Sequence, residues 1–567
     1  MTIAVALAPE LRTSGRRLAG HRQEALAQAR QRLAVVVLVL VGLVGVLALR
    51  LLALALLEPA ASRRVSASPP GRAEIVDRNG LVLATTYQAY ALAVRPGDLV
   101  GDREELARRI HAILPHRSLP AIRAALHHQG PFRFVARRIL PEEAEALRRL
   151  GEPGLVIERE PERLYTHGAL AAHVLGFTDI DGHGAAGIER AFDARLRDPA
   201  RRHEPLVLAL DARVQQVLEA ELEHQRQRQR ALAAAGVVLD ARTSEVLALA
   251  SLPAFNPNAP GPAATQPDRM NRITLGVHEL GSILKPLTVA MALEAGTLTS
   301  LSQTFPTTPI HLGRHRIRDL KPRARPLTVP EVLILSSNVG SARMAEGLGA
   351  SRQRAFLSRL GLLAPVPVEL PERGRPLFPR EADWGLPAVM TIGFGHGLAV
   401  TPLHAAAAYA ALVNGGLYRP PTLLKRDSPA PAQRVFSAET SRIVRAMLRV
   451  AVTEGTGRRA DAPGYRVGGK TGTAEKPKPG GGYDHRRNVT SFAGAFPMDD
   501  PRYVVVVTLD EPQGDPATGG GRTAGVTVAP AFRNVVLRVA PVLGIPPDLG
   551  READLAPIAG LYEPRAP

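Results

Sequence analysis

The run from Leu33 to Leu57, LAVVVLVLVGLVGVLALRLLALALL, constrains the fold more than any other part of the chain: it holds 25 residues with Arg50 as the one polar side chain. As an α-helix it would be about 37 Å long, enough to cross a ~30 Å hydrocarbon layer. A surface helix of a soluble domain needs a polar face, which this run lacks, and a cleaved leader has an apolar stretch of only ~7–15 residues. The reading is an uncleaved single-pass anchor at 33–57, with Arg50 close enough to the outer end to extend its head to the lipid headgroups. Residues 1–32 carry Arg12, Arg16, Arg17, Arg22, Arg30 and Arg32 against Glu10 and Glu24. That excess predicts a cytoplasmic basic tail at 1–32 and an exported remainder.

With 45% apolar residues among 567, the exported part can build real cores, and the length allows three or four units. Cysteine is absent, which removes disulfides, thiol nucleophiles and thiolate metal sites. The net charge of +18 suggests a nucleic-acid partner, yet aromatic residues are only 4%, too few for a base-stacking surface. No nucleic acid is expected. Six lysines occur (Lys285, Lys321, Lys425, Lys470, Lys476 and Lys478), leaving 71 − 6 = 65 arginines. The basicity is thus a preference for arginine, and each retained lysine stands out.

Residues 58–203 read as an α+β module: a Pro- and Ala-rich linker, then two alternating runs around Asn79–Gly80, a strong hairpin signal, then helical periods and short strands. Within it Arg72, Arg163 and Glu189 are expected to fix the module to its neighbour. Residues 204–545 open with LVLALD, an amphipathic helix from Ala212 to about Ala235 and the strand pair GVVLDARTSEVLALAS turning at Arg242–Ser244. Helical patterns fill the middle, and strands return in VTSFAGAFP and RYVVVVTLD. The fold class expected is α/β plus α+β, an antiparallel sheet with a helical subdomain above a pedestal-like module. Residues 546–567 are expected to be a loose tail.

Three short motifs can carry chemistry. Ser282 opens a helix that stops at Gly296, and Lys285, one turn on, shares its face. A neutral lysine there could take the serine proton and create an acylating nucleophile. Neutrality near pH 7 requires roughly 4 kcal/mol from burial and nearby positive charge. Ser336-Ser337-Asn338 ends a second helical segment; its hydroxyl and amide at i and i+2 could relay a proton and bind a peptide backbone, although alone the motif reads more simply as a polar helix end or turn. Gly468-Gly469-Lys470-Thr471-Gly472-Thr473 has strand-like flanks. Its glycines suggest close approach of a backbone or ligand, and an edge strand of this kind can pair with a peptide while Lys470, Thr471 and Thr473 meet a carboxylate. A phosphate loop fits poorly, because the Walker spacing is missing. His311 and His315 have zinc-like spacing without a third ligand, so no metal or cofactor is expected. His396 in GFGHG is more simply a structural hydrogen bonder than a substrate contact.

In the order Ser-x-x-Lys, Ser-x-Asn, Lys-Thr-Gly, these motifs resemble the set found in penicillin-binding proteins and serine β-lactamases. RNGLVLA, RLYTHGALAAHVLGF, GIERAFD, RMNRITLGVHELGSILKPLTVAMALEAG, HRIRD, LTVPEVLILSSNVG, TIGFGHGLAVTPL and GGKTGTAEKP extend the likeness over about residues 72–540. The whole is similar to a class B penicillin-binding protein of the septal, FtsI-like type. The resemblance implies an anchored inner-membrane D,D-transpeptidase with a periplasmic catalytic domain that cross-links peptidoglycan stem peptides ending in D-Ala-D-Ala and is inhibited by β-lactams. It also implies a membrane-embedded glycan polymerase and other division proteins as partners. By the same resemblance Ser282 would be acylated, Lys285 would act as base and Ser336 would pass the proton to the leaving amine. Asn338 would hold the stem peptide, and Lys470, Thr471, Gly472 and Thr473 would form the carboxylate-binding strand. The N–H groups of Ser282 and Thr473 would make the oxyanion hole. Ile283 and Leu320-Lys321 depart from the usual pattern, where a small hydroxylated residue and an aromatic-His pair are commoner. The rival readings are a β-lactam sensor or hydrolase on the same fold, or an inactive division scaffold.

Overall fold

The computed structural model describes residues 30–50, 71–261, 267–313, 315–478 and 480–564. The first unit contributes one helix, α1 (Arg30–Arg50), whose 21 residues span about 31 Å and expose apolar side chains all round. The expected continuation to Leu57, the tail at 1–29 and the linker up to residue 70 lie outside the described residues.

The second unit begins with the pedestal. β1 (Ile75–Val76) and β2 (Val82–Val94) form the hairpin foreseen at Asn79–Gly80. Asp77 Oδ1 accepts from the N–H groups of Asn79 and Leu81, both at 2.8 Å, and Gly80 takes the left-handed φ of 87°. The helices α2 (Arg103–Ile113) and α3 (Leu119–Leu126), strand β3 (Arg133–Ile139), helix α4 (Pro141–Arg148) and strand β4 (Leu155–Tyr165) follow. Strand β4 pairs along one edge of β2, while β3 and β1 share the other. The small core between helices and sheet is built on Leu92, Leu106, Ile110, Leu126 and Ile139.

Arg72, Arg163 and Glu189 act within the pedestal rather than between it and its neighbour. Glu189, fully buried, accepts from Arg72 Nε at 2.8 Å and from Arg163 Nε at 2.7 Å. Arg72 also pairs with Asp193 at 2.6 Å, and Arg163 donates to the Ala73 carbonyl. One carboxylate thereby ties the start of the pedestal to β4 and to the segment near 190.

Strand β5 (Leu206–Val207), parallel to β1, leads into α5 (Ala212–Arg228). The helix was expected to run to about Ala235, but it ends at Arg228 and Arg230 takes a left-handed φ of 48°. The alanines that favour helix locally instead begin the strand β6 (Ala233–Asp240), because small side chains are what fits beneath α5: a Cβ on Gly236 would lie 2.8 Å from Leu222 Cδ1. Strand β7 (Val246–Leu252) returns through the turn at Arg242–Ser244.

Further along come α6 (Lys285–Glu294), α7 (Val329–Ile334), α8 (Asn338–Leu348), α9 (Pro402–Val413) and α10 (Ala438–Thr453). The last strands are β8 (Gly468–Pro477), β9 (Tyr483–Phe496) and β10 (Tyr503–Asp510), before α11 (Ala529–Val542). The sheet order is β8-β9-β10-β6-β7, antiparallel throughout, with β8 at an edge. Alternation along β10 sends Val505 and Val507 to the core with α5 and α11, and Val504 and Val506 to the core with α6, α9 and α10. The sheet is therefore buried on both faces.

Residues 547–564, expected to be part of a loose tail, are packed against the domain. Ile558 is buried in the main core, Arg449 pairs with Glu552 at 2.7 Å, and the Thr328 hydroxyl donates to the Leu561 carbonyl at 2.6 Å. Acidic residues spaced among prolines find arginines of α10 and of the loop before α7, which composition alone does not reveal.

Glu189→Ala would leave two buried guanidinium groups without their anion, and a loss of about 3–5 kcal/mol is expected. Thermal unfolding of the full chain measures it; an unchanged melting temperature would remove the tie between the pedestal segments.

Candidate active site

Ser282 lies in a short 3-10 turn, Gly281–Leu284, which hands over to α6 at Lys285. The α-helix thus starts three residues later than its sequence signature suggests, with Pro286 in its first turn and Gly296 (φ 68°) after its end. Three contacts hold the turn. The Tyr409 hydroxyl on α9 donates to the Ile283 carbonyl at 2.7 Å, and the Gly281 N–H donates to Gly395 at 3.2 Å. Strand β8 runs directly alongside: a Cβ on Gly472 would sit 2.4 Å from the Leu280 oxygen, and one on Gly281 would sit 3.0 Å from the Thr473 oxygen. Gly395, with φ 100°, is closer still, since its Cβ would be 1.8 Å from the Gly281 oxygen. Only glycine allows these backbones to meet.

Lys285 and Lys470 are both fully buried. Lys285 Nζ donates to the Ser336 carbonyl at 2.6 Å, the Ser336 hydroxyl at 3.1 Å and Asn338 Oδ1 at 2.7 Å. From β8, Lys470 Nζ donates to the same Ser336 hydroxyl at 2.9 Å and to the Thr471 carbonyl at 3.2 Å. One hydroxyl oxygen thus bridges two amines. Burial, and then the charge of Lys470, push Lys285 well below the ordinary lysine range, against the pull of Asp319. Burial brings Lys470 down to about 7. Two ammonium groups meeting across one oxygen away from water repel each other, so the fold favours at least one neutral amine.

The structure departs from the expected direct pairing of nucleophile and base. Among the described residues Lys285 makes the three hydrogen bonds above and none to the Ser282 hydroxyl. Carbonyl, hydroxyl and amide oxygens on the Ser336–Asn338 side outcompete a single hydroxyl for its protons.

Ser336 follows α7, whose start is closed by a Thr328/Glu331 capping box. It holds a left-handed φ of 64°, a conformation that costs a residue with a side chain roughly 1–2 kcal/mol. The turn persists because its ends are fixed. Asp319 accepts from the Ser337 hydroxyl at 2.7 Å, the Asn338 N–H at 2.6 Å and the Val339 N–H at 3.0 Å, covering the start of α8. On the opposite wall, the Thr471 hydroxyl shares a 2.6 Å hydrogen bond with that of Thr456, while the exposed Thr473 accepts from the Ala524 N–H at 3.1 Å.

The structure therefore brings Lys285, Ser336, Asn338 and Lys470 into one hydrogen-bonded group and sets the Ser282 turn against Gly472 and Thr473. Residues 234–536 match the family described as the penicillin binding protein transpeptidase domain, and residues 67–202 match the penicillin-binding protein dimerisation domain. The chain belongs to the penicillin-binding transpeptidases. It is 39% identical over 508 residues to the probable peptidoglycan D,D-transpeptidase FtsI of Caulobacter vibrioides, covering 88% of this chain and 85% of that one. The peptidoglycan D,D-transpeptidase FtsI of Escherichia coli K12 is 33% identical over 520 residues, with 86% of each chain covered. Among solved structures, penicillin binding protein 3 of Mycobacterium tuberculosis complexed with aztreonam superposes with a TM-score of 0.67 at 28% identity, covering 85% of this chain and 98% of that one.

Several residues of this penicillin-binding fold carry the site without having been singled out in the sequence. Asp319 appears there only as the end of HRIRD, and Gly395 only within GFGHG. A tyrosine in the otherwise apolar PLHAAAAYAALV does carry a signal, since a buried phenol must find a partner, and Tyr409 finds the Ile283 carbonyl. Thr456 has no local signature. His396 places Nδ1 3.6 Å from Glu279 Oε2 and its ring beside Tyr483, whose hydroxyl donates to Glu279 at 2.9 Å.

Asp319→Ala would strand the Ser337 hydroxyl and two N–H groups. Stability is expected to fall by roughly 1–3 kcal/mol, and acylation by penicillin by about tenfold to a hundredfold as the turn loosens. Thermal unfolding and acylation kinetics on the same preparation check both; wild-type acylation would remove the positioning role.

Proposed function

We propose that this membrane-anchored chain is a peptidoglycan D,D-transpeptidase in which Ser282 is the acylated residue. The observation that carries the reading is the Ser336 hydroxyl shared by two buried lysine amines next to the Ser282 turn and an edge strand. The donor stem peptide lies along β8, its terminal D-Ala carboxylate on Thr471 and Thr473 near Lys470. Ser282 Oγ attacks the penultimate D-Ala carbonyl as its proton passes to neutral Lys285. For this step the amine turns about its last torsions from the Ser336 carbonyl to the hydroxyl one turn back. The N–H groups of Ser282 and Thr473 stabilise the developing oxyanion; losing one such donor costs ~10²–10³ in rate. The C–N bond breaks, Ser336 relays a proton to the departing D-Ala amine, and Asn338 keeps the stem peptide in register. An acceptor amine then attacks the ester, releasing Ser282 and forming the cross-link.

The arginine excess in residues 1–32 supports an N-terminus in the cytoplasm and a catalytic unit on the periplasmic side of the inner membrane. Similarity to the FtsI proteins supports a role in septal wall synthesis, alongside a membrane-embedded glycan polymerase and other division proteins.

Fluorescent penicillin is expected to label membranes carrying the wild-type chain but not Ser282→Ala, and the acyl-enzyme is expected to persist; turnover within seconds would favour a hydrolase. Acylation requires Lys285 neutral, so the rate climbs with pH as that amine loses its proton. It requires Lys470 charged, so the rate declines as pH passes about 7, where Lys470 deprotonates. The second-order acylation rate, which reports free-enzyme ionisations, should therefore be bell-shaped, and a plateau extending to pH 9 would exclude a charged Lys470 from the mechanism.

A further inference from the structure

Beside the Ser336–Asn338 turn stands a hairpin, Ile310–Leu312 paired with His315–Ile317, followed by a loop to Leu327. Ile317 is buried in a small core with Val339, Ala342, Met390 and Phe394. Strand alternation therefore turns Arg316 and Arg318 away from that core, and both are exposed. The loop is stitched to the site: Asn338 Nδ2 donates to the Arg318 carbonyl at 3.1 Å, while Asn338 Oδ1 accepts from Lys285 at 2.7 Å. The Arg318 backbone is thus two hydrogen bonds from a buried amine of the site.

The segment's charge is lopsided. Asp319, the one carboxylate between Arg314 and Arg325, is occupied by Ser337 and the start of α8. Arg325 is taken by Glu331 and Glu563. Arg316, Arg318, Lys321 and Arg323 are exposed and make no side-chain hydrogen bond or ion pair among the described residues. Leu320, 86% exposed, stands in their midst. Like charges held together without a counter-ion gain nothing for the fold, but they raise the local concentration of an anionic ligand.

The reaction says where such a ligand arrives. The leaving amine departs beside Ser336, and an attacking amine must come in along the same line, because deacylation by an amine is the reverse of acylation with a different amine. We propose that residues 316–323 are the acceptor-side docking surface, binding free carboxylates on the stem peptide that brings the attacking amine. This rests on the transpeptidase reading above and deepens it, giving the enzyme a preference for an acidic over an amidated acceptor. The donor, lying along β8, does not use this surface, and no bond is made or broken by it.

The test uses the full-length protein and the variant Arg316→Gln/Lys321→Gln/Arg323→Gln, with Arg318 untouched because its carbonyl holds Asn338. Three rates are measured: acylation by fluorescent penicillin, transfer from a D-Ala-D-Ala donor to a peptide amine with free carboxylates, and transfer to the same peptide amidated. Penicillin acylation is expected to stay within about twofold, while the KM for the acidic acceptor rises about tenfold and its use by the wild type falls with ionic strength. The amidated acceptor should be poor with both proteins. Equal use of acidic and amidated acceptors by the wild type overturns the proposal whatever the variant's fold, as does an unchanged acceptor KM in a variant that still acylates. Failure of the wild type to be acylated at all would instead bring down the transpeptidase reading.

Discussion

One oxygen atom organises the site: the Ser336 hydroxyl, 3.1 Å from the amine of Lys285 and 2.9 Å from that of Lys470. These lysines come from α6 and β8, so three distant stretches of chain converge on a single atom. Two buried cations with a shared acceptor would be an expensive arrangement for stability alone, since either amine could be replaced by an apolar side chain of similar size. Burial displaces both from the ordinary lysine range, the charge of Lys470 pushes Lys285 further down, and together they supply a proton acceptor near neutrality.

That arrangement survives only because the surroundings leave it no room to relax. The five-stranded sheet is buried on both faces, which makes β8 a rigid wall although it is an edge. Close backbone approaches at Gly472, Gly281 and Gly395 set the nucleophile turn against that wall. From the opposite side Asp319 fixes the strained turn at Ser336 with three short hydrogen bonds. Packing, glycine placement and one carboxylate therefore act on the same few ångströms.

The sequence was informative where chemistry and local structure coincide. Lysine scarcity made Lys285 and Lys470 visible, and the hairpins at Asn79–Gly80 and Arg242–Ser244 follow from turn residues. It was less informative where tertiary contacts decide. The alanines after Arg230 have helical propensity, yet they begin the inner strand β6, whose Gly236 lies too close to Leu222 of α5 to carry a Cβ. The Glu189 cluster binds the pedestal to itself, and the acidic residues after 546 pair with arginines over a hundred positions away. Likewise, no spacing rule shows that the Lys285 amine turns toward Ser336 and Asn338 in preference to Ser282. Such facts depend on which oxygens surround an amine in space, and neighbours in sequence do not report that.

The segment from Glu552 to Glu563 folds back onto α10 and onto the cap of α7, the helix that leads directly to Ser336. It is also synthesised after every residue of the site. A chain in which residues 552–563 are not yet in place lacks the brace behind its own reactive turn, so the support of that turn is completed by residues far downstream of every motif in the site.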